Sequence, residues 1–131
     1  MKSRAVVAWI ASILLIASSV AHAFLGLPPL QDSLRRAGVD ADVMETVTVG
    51  WLFGSAAMMA FGLIMLFRAL RLSRGREVDR APGLVIAFCY VVFGVTAFLS
   101  TGMNPHFLGF ILIGVLAAGS ALGRRQGEPL R

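Results

Sequence analysis

Three stretches without a single Asp, Glu, Lys or Arg govern what this chain can become: Ala5 to Gln31, Thr46 to Phe67 and Ala81 to Gly123. A helix rises about 1.5 Å per residue and the hydrocarbon of a bilayer is roughly 30 Å thick, so about 20 apolar residues make one crossing. The first two stretches hold one span each. The third is long enough for two, and Thr101-Gly102-Met103-Asn104-Pro105 supplies a turn between them. The expected fold is all-α: one membrane domain over residues 1–131, a four-transmembrane-helix bundle with spans at about 5–24, 43–70, 82–100 and 105–123. Between them lie an outer loop 25–42, an inner loop 71–81 and an inner tail 124–131. With 57% of residues hydrophobic and 15% charged, an ordinary soluble domain is a poor match.

Basic residues fix the expected orientation, because Lys and Arg flanking spans are retained in the cytoplasm. Lys2, Arg4, Arg68, Arg71, Arg74, Arg76, Arg80, Arg124, Arg125 and Arg131 fall on one side, and only Arg35 and Arg36 on the other. Both termini are therefore expected in the cytoplasm, in a bacterial inner membrane. The net charge of +5 reads as an arginine collar at anionic lipid headgroups, with membrane lipid rather than nucleic acid as the partner. Residues 1–23 also match a secretory signal, with Lys2 and Arg4 ahead of an apolar run and Ala21-His22-Ala23 as a cleavage site. Against cleavage, apolar character continues through Phe24-Leu25-Gly26-Leu27, giving the length of a full span.

In the outer loop, Pro28-Pro29 is expected to end the first span. Leu30, Leu34 and Ala37 then recur at helical spacing up to a Gly38 stop, which reads as a short interfacial helix. Asp42-Val43-Met44-Glu45 has the spacing of a capping box for the second span. The spans are rich in small residues, Gly50-x-x-x-Gly54 and Gly119-x-x-x-Gly123 among them, which let helix backbones approach closely inside a bundle or across a homodimer.

Chemistry is constrained by absences. None of the seven acidic residues lies in the core of a span, whereas proton-coupled transport calls for a titratable carboxylate there, as in the small multidrug exporters of similar size. The single cysteine, Cys89, leaves no dithiol pair and reads as a small buried apolar group. Ser12, Ser18, Ser19, Ser55, Thr96 and Ser100 are a thin polar supply for a small-solute permease. The phenylalanines read as packing or lipid-facing groups, and Trp51 as an interfacial belt residue.

What remains is a histidine pair. His22 closes the first span and His106 opens the fourth, at matching depth on the outer side. Two imidazoles there are candidates to bind haem b, copper or a quinone, with Met103, in the Met103-x-x-His106 spacing, and Met44 as soft ligands for copper. The bland alternative is a pair of interfacial histidines, each meeting water and a backbone carbonyl.

Three segments carry a resemblance: Ala21-His22-Ala23-Phe24-Leu25-Gly26, Gly50-Trp51-Leu52-Phe53-Gly54-Ser55 and Asn104-Pro105-His106-Phe107-Leu108-Gly109. The chain resembles small four-span bacterial inner-membrane proteins, and in size and span number it is similar to DoxX-like membrane proteins. The likeness implies a four-helix membrane fold and supplies no catalytic residue. The leading expectation is a protein that is not an enzyme and acts by helix packing, as an accessory subunit of a larger membrane complex or as a small homodimer or other homo-oligomer. The alternative is a periplasmic-side haem, copper or quinone binding subunit using His22 and His106, and the third is a permease.

Overall fold

The computed structural model describes residues 2–123; the expected inner tail, 124–131, lies outside them. All regular elements among these residues are helical: α1 (Lys2–Ala21), a π turn (His22–Gly26), α2 (Leu27–Arg36), α3 (Ala41–Ser73), α4 (Ala81–Ser100), a 3₁₀ turn (Pro105–Phe107) and α5 (Leu108–Leu122). Four helices are long and apolar enough to cross a membrane: Ser3–Arg36, Ala41–Ser73, Ala81–Ser100 and Pro105–Leu122. Their outward faces leave Phe53 75%, Phe88 69%, Leu99 65% and Phe67 64% exposed. Water does not tolerate apolar surface on that scale, and lipid does, so the fold is that expected of a membrane protein.

Small residues at seven-residue spacing bring α1 and α3 together. Along α1, Ala5, Ala8, Ser12, Leu15 and Ser19 are buried in alternating steps of three and four, and along α3 Gly62, Met65, Ala69 and Leu72 are buried in the same steps, one heptad on from the buried Ser55. That is a coiled-coil seam with small knobs, which suits helices that gain no hydrophobic drive from lipid and associate by close contact. A Cβ added to Gly62 would sit 2.7 Å from Ile16 and 3.1 Å from its backbone nitrogen. The α4–α5 pair uses the same device: a Cβ on Gly94 would meet Ile111, and one on Gly114 would meet Val91 and the Ala87 carbonyl. α1 also packs on α5, so the helices run in the order α3, α1, α5, α4, and α3 touches α4 only sparsely.

One end of the bundle is held by arginines. Arg68, 3% exposed, donates from Nη1 to the carbonyl of Asp79 and from Nη2 to that of Ser120 at 3.0 Å. Arg4 reaches the same Ser120 carbonyl at 3.1 Å and that of Ala121 at 3.2 Å. Two guanidiniums thus cap the last turn of α5, where orphan carbonyls and the helix dipole favour positive charge. This arginine end opposes the histidine end, where His22 and His106 lie.

The first outer segment departs from expectation. Pro28 and Pro29 do not end the first helix, which continues through the π turn and α2 to Arg36. Two adjacent prolines withhold two amide donors, and the ladder adjusts by widening to the π pattern just before them instead of breaking. The short helix expected after the prolines is α2, which follows on from the π turn and lies along the start of α3, tied by Gln31 to Thr48 at 3.2 Å. The stop at Gly38 is as expected: with φ +70° it closes a Schellman motif in which Gly38 N–H meets the Arg35 carbonyl and Val39 N–H that of Leu34. The cap of α3 is Asp40, whose carboxylate accepts from Val43 N–H at 2.9 Å, and Asp42 falls inside the first turn.

Candidate functional site

At the histidine end, α1, α3 and α5 surround a cavity of about 330 Å³, and a second of about 270 Å³ lies beside it between α3 and α4. His22, Met58 and Phe110 border both, so the two are lobes of one cleft. The cleft follows from helix order: α4 packs on α5 rather than closing on α3, and the seam between α3 and α4 stays open.

His22 is the first residue of the π turn, and α3 holds it in three ways. Its carbonyl accepts the indole N–H of Trp51 at 2.7 Å. Its ring stacks on that indole, with centroids 3.9 Å apart and planes 8° apart. Its Nδ1 lies 2.9 Å from the hydroxyl of Ser55. That hydroxyl also donates to the Trp51 carbonyl at 3.1 Å, and Ser19 donates to the Ser55 carbonyl at 2.7 Å. A hydroxyl has one hydrogen to give, and Ser55 meets either neutral tautomer of the ring: with the hydrogen on the Trp51 carbonyl it accepts from Nδ1, and with the hydrogen on Nδ1 it donates.

His106 borders the first lobe together with His22, so the two histidines expected at one depth do meet at a common cavity. It is exposed and projects from the 3₁₀ turn, whose start is capped by Asn104 Oδ1 accepting from His106 N–H at 3.0 Å. Its ring stands edge-on to Phe107 and Phe110, at 5.5 and 6.2 Å. Met103 is not brought to the cleft: it turns the chain at φ +64° and is 67% exposed. The thioether that borders both lobes is Met58. Among the described residues no group of three His, Cys, Asp or Glu side chains is gathered in a way that could hold a metal ion.

Aromatic rings wall the second lobe. Tyr90 lies 6.2 Å from Phe61 edge to face and 5.8 Å from Phe110, which in turn meets Phe93 at 4.9 Å. Tyr90 is 5% exposed, and its hydroxyl has no hydrogen-bond partner among the described residues. An orphan hydroxyl in such a place costs about 1–3 kcal/mol. Cys89 also borders this lobe and is exposed rather than buried.

Sequence reasoning singled out His22 and His106 and passed over Ser55, Met58, Tyr90 and Phe110. The missed signal was periodic. Trp51, Ser55, Met58 and Gly62 continue the α3 seam upward, as His22 continues that of α1, so the histidine lies where the two seams meet. No protein-family model, no characterised protein and no solved structure matches this chain, so the likeness in size and span number to DoxX-like proteins brings no residue correspondence with it.

Proposed function

We propose that this chain is a multi-pass membrane protein that holds a lipid-soluble, ring-bearing molecule in the cleft between α3 and α4–α5, with His22 as its polar contact. The observation that carries this reading is the two-lobed cavity bordered throughout by His22, Met58 and Phe110. Its size suits a small organic ligand, and its walls are aromatic with few polar groups, the usual balance of a ligand pocket. The open seam faces the side of the bundle, so the ligand enters from the bilayer. We place the arginine end in the cytoplasm of a bacterial cell and the cleft toward the periplasmic side, on the asymmetry of Lys and Arg in the sequence.

The test is extraction of bound small molecules from protein purified in mild detergent, compared with Gly109→Phe. Gly109 borders the first lobe and a Cβ there would meet nothing within 4 Å, so a bulky ring can be added at the rim of the lobe without straining the helix. Enrichment of one ring-bearing species in the wild type and its loss in the variant support the reading; identical extracts overturn it.

A haem is the member of this ligand class that would use both imidazoles, and their place at one cavity favours it as the second reading. A Soret band lost in His22→Ala and in His106→Ala is its signature. Copper has less support, since Met103 stands away from the cleft. Action by helix packing alone, as an accessory subunit or homo-oligomer, draws on small residues of which Gly62, Gly94 and Gly114 are already taken up inside the bundle. Transport draws on hydroxyls, but Ser12, Ser19, Ser55 and Ser120 donate to backbone carbonyls.

A further inference from the structure

The two lobes open at different depths. Residues that border a lobe and are also exposed mark its mouth: His106 and Gly109 for the first, Cys89 and Phe93 for the second. His106 lies in the turn that leads into α5, at the end of the bundle. Cys89 lies near the middle of α4, Ala81–Ser100, which in a spanning helix is the depth of the hydrocarbon core. The first mouth therefore meets the headgroup layer, and the second meets lipid chains.

The walls differ in the same sense. The first lobe carries the imidazoles of both His22 and His106, while Trp51 has already given its N–H to the His22 carbonyl. A hydroxyl on the ligand suits either neutral form of these rings, because it can give a hydrogen or accept one. Beyond the shared His22, the second lobe is lined by small side chains, the Met58 thioether and aromatic rings, and the hydroxyl oxygen of Tyr90 is itself buried. A polar group carried into that lobe loses its partners, whereas a hydrocarbon chain loses nothing. At about 330 and 270 Å³, the lobes lie at or below the bottom of the roughly 300–1,000 Å³ that holds a whole drug-sized molecule, so each takes one part of a ligand.

We infer that the occupant is a singly tailed amphiphile: a ring with a hydrogen-bonding group sits in the first lobe beside His22 and His106, and one aliphatic chain runs through the second lobe and out past Cys89 and Phe93 into the bilayer. This rests on the cleft being a ligand site and adds the shape of the ligand and the way round it lies. The ring is thereby held next to the mouth at the histidine end, while the chain stays in lipid. Compact rings without a chain leave the second lobe unfilled, and molecules polar at both ends strand one polar group at the depth of Cys89.

The experiment uses full-length protein in mild detergent and two photoreactive forms of 4-dodecylphenol, one with a diazirine on the ring and one with it near the end of the chain. Labelled residues are located by peptide mass spectrometry. The ring probe is expected to label His22, Trp51 or His106, and the chain probe Cys89 or Phe93. Plain 4-dodecylphenol at about ten times its dissociation constant is expected to cut both labels about tenfold by mass action. A second measurement uses Ala57→Phe, which adds bulk to the second lobe alone. On a Trp9→Phe background, with emission from Trp51, this variant is expected to bind 4-dodecylphenol about tenfold more weakly and 4-ethylphenol as before.

A ring label at Cys89 with a chain label at His106 reverses the ligand and overturns the inference. A chain label spread over outward-facing residues such as Phe67 and Phe88, or equal weakening of both phenols by Ala57→Phe, overturns it as well. In each of these cases a ring label in the first lobe leaves the cleft as a ligand site. Absence of competed labelling by either probe also overturns the inference, and the cleft reading itself then stands or falls on the extraction from wild type and Gly109→Phe.

Discussion

Trp51 lies flat against the imidazole of His22, ring centroids 3.9 Å apart, while its indole N–H donates at 2.7 Å to the carbonyl of that same residue. One side chain of α3 therefore fixes both the ring and the backbone at the π turn. Trp51→Phe keeps a ring for stacking and drops the hydrogen bond, so it is expected to lower stability by about 1 kcal/mol. Trp51→Ala loses the ring as well and is expected to cost about 2 kcal/mol or more, short of the usual figure for a fully buried tryptophan. Unfolding in mixed micelles reads the difference, and equal midpoints for the two variants would show that the stack adds nothing.

Gly114 and Gly109 belong to the same helix and answer alanine in opposite ways. A Cβ on Gly114 would lie 2.7 Å from Val91 and 3.0 Å from both the Ala87 carbonyl and the Val91 nitrogen, with backbone that cannot step aside. Gly114→Ala is expected to destabilise by about 1–3 kcal/mol through overpacking. Gly109→Ala meets nothing and gains up to about 1 kcal/mol of helix propensity. Thermal midpoints of the two variants in one detergent decide the matter.

Arg68 is the buried cation of the bundle, and its loss leaves the Asp79 carbonyl without it and the Ser120 carbonyl with Arg4 alone. Arg68→Met is expected to cost about 2–3 kcal/mol, in the range for hydrogen bonds from a charged donor. Since both arginines serve the Ser120 carbonyl, Arg4→Met and Arg68→Met are expected to be non-additive, which a double-mutant cycle measures directly.

The proposed orientation predicts that a reporter active only in the cytoplasm works when fused after Arg131, and that a cysteine placed at Arg36, exposed at the far end of α2, reacts with an impermeant thiol reagent in intact spheroplasts. A silent reporter together with a protected cysteine would invert the molecule and put the cleft on the cytoplasmic side.

Four long apolar helices were legible because freedom from charge over about 20 residues is a property of sequence alone. The common depth of His22 and His106 was legible for a related reason, since distance along a helix converts directly to height. The angle around each helix was not. That is why Cys89, expected to be buried, is exposed while its neighbour Tyr90 is 5% exposed, and why Trp51 proves to be a partner of His22 rather than only a belt residue. Arg68 read as one of a group of loop cations, yet it is 3% exposed inside α3, because two backbone carbonyls at the bundle end replace its water. The prolines misled for a different reason: their rule concerns the α ladder, and the chain left that ladder for one turn.

The helix order has a mechanical side. With α1 against α5 as the principal link between the α1–α3 pair and the α4–α5 pair, the molecule is bound like a book along one spine, and the pages part at α3 and α4. A small rotation about that spine changes the width of the opening most and disturbs the tight glycine contacts within each pair least. If the cleft holds a lipid-soluble ligand as proposed, lateral pressure from the surrounding lipid acts on those pages directly, and the thickness and composition of the bilayer become variables that set how readily that ligand exchanges.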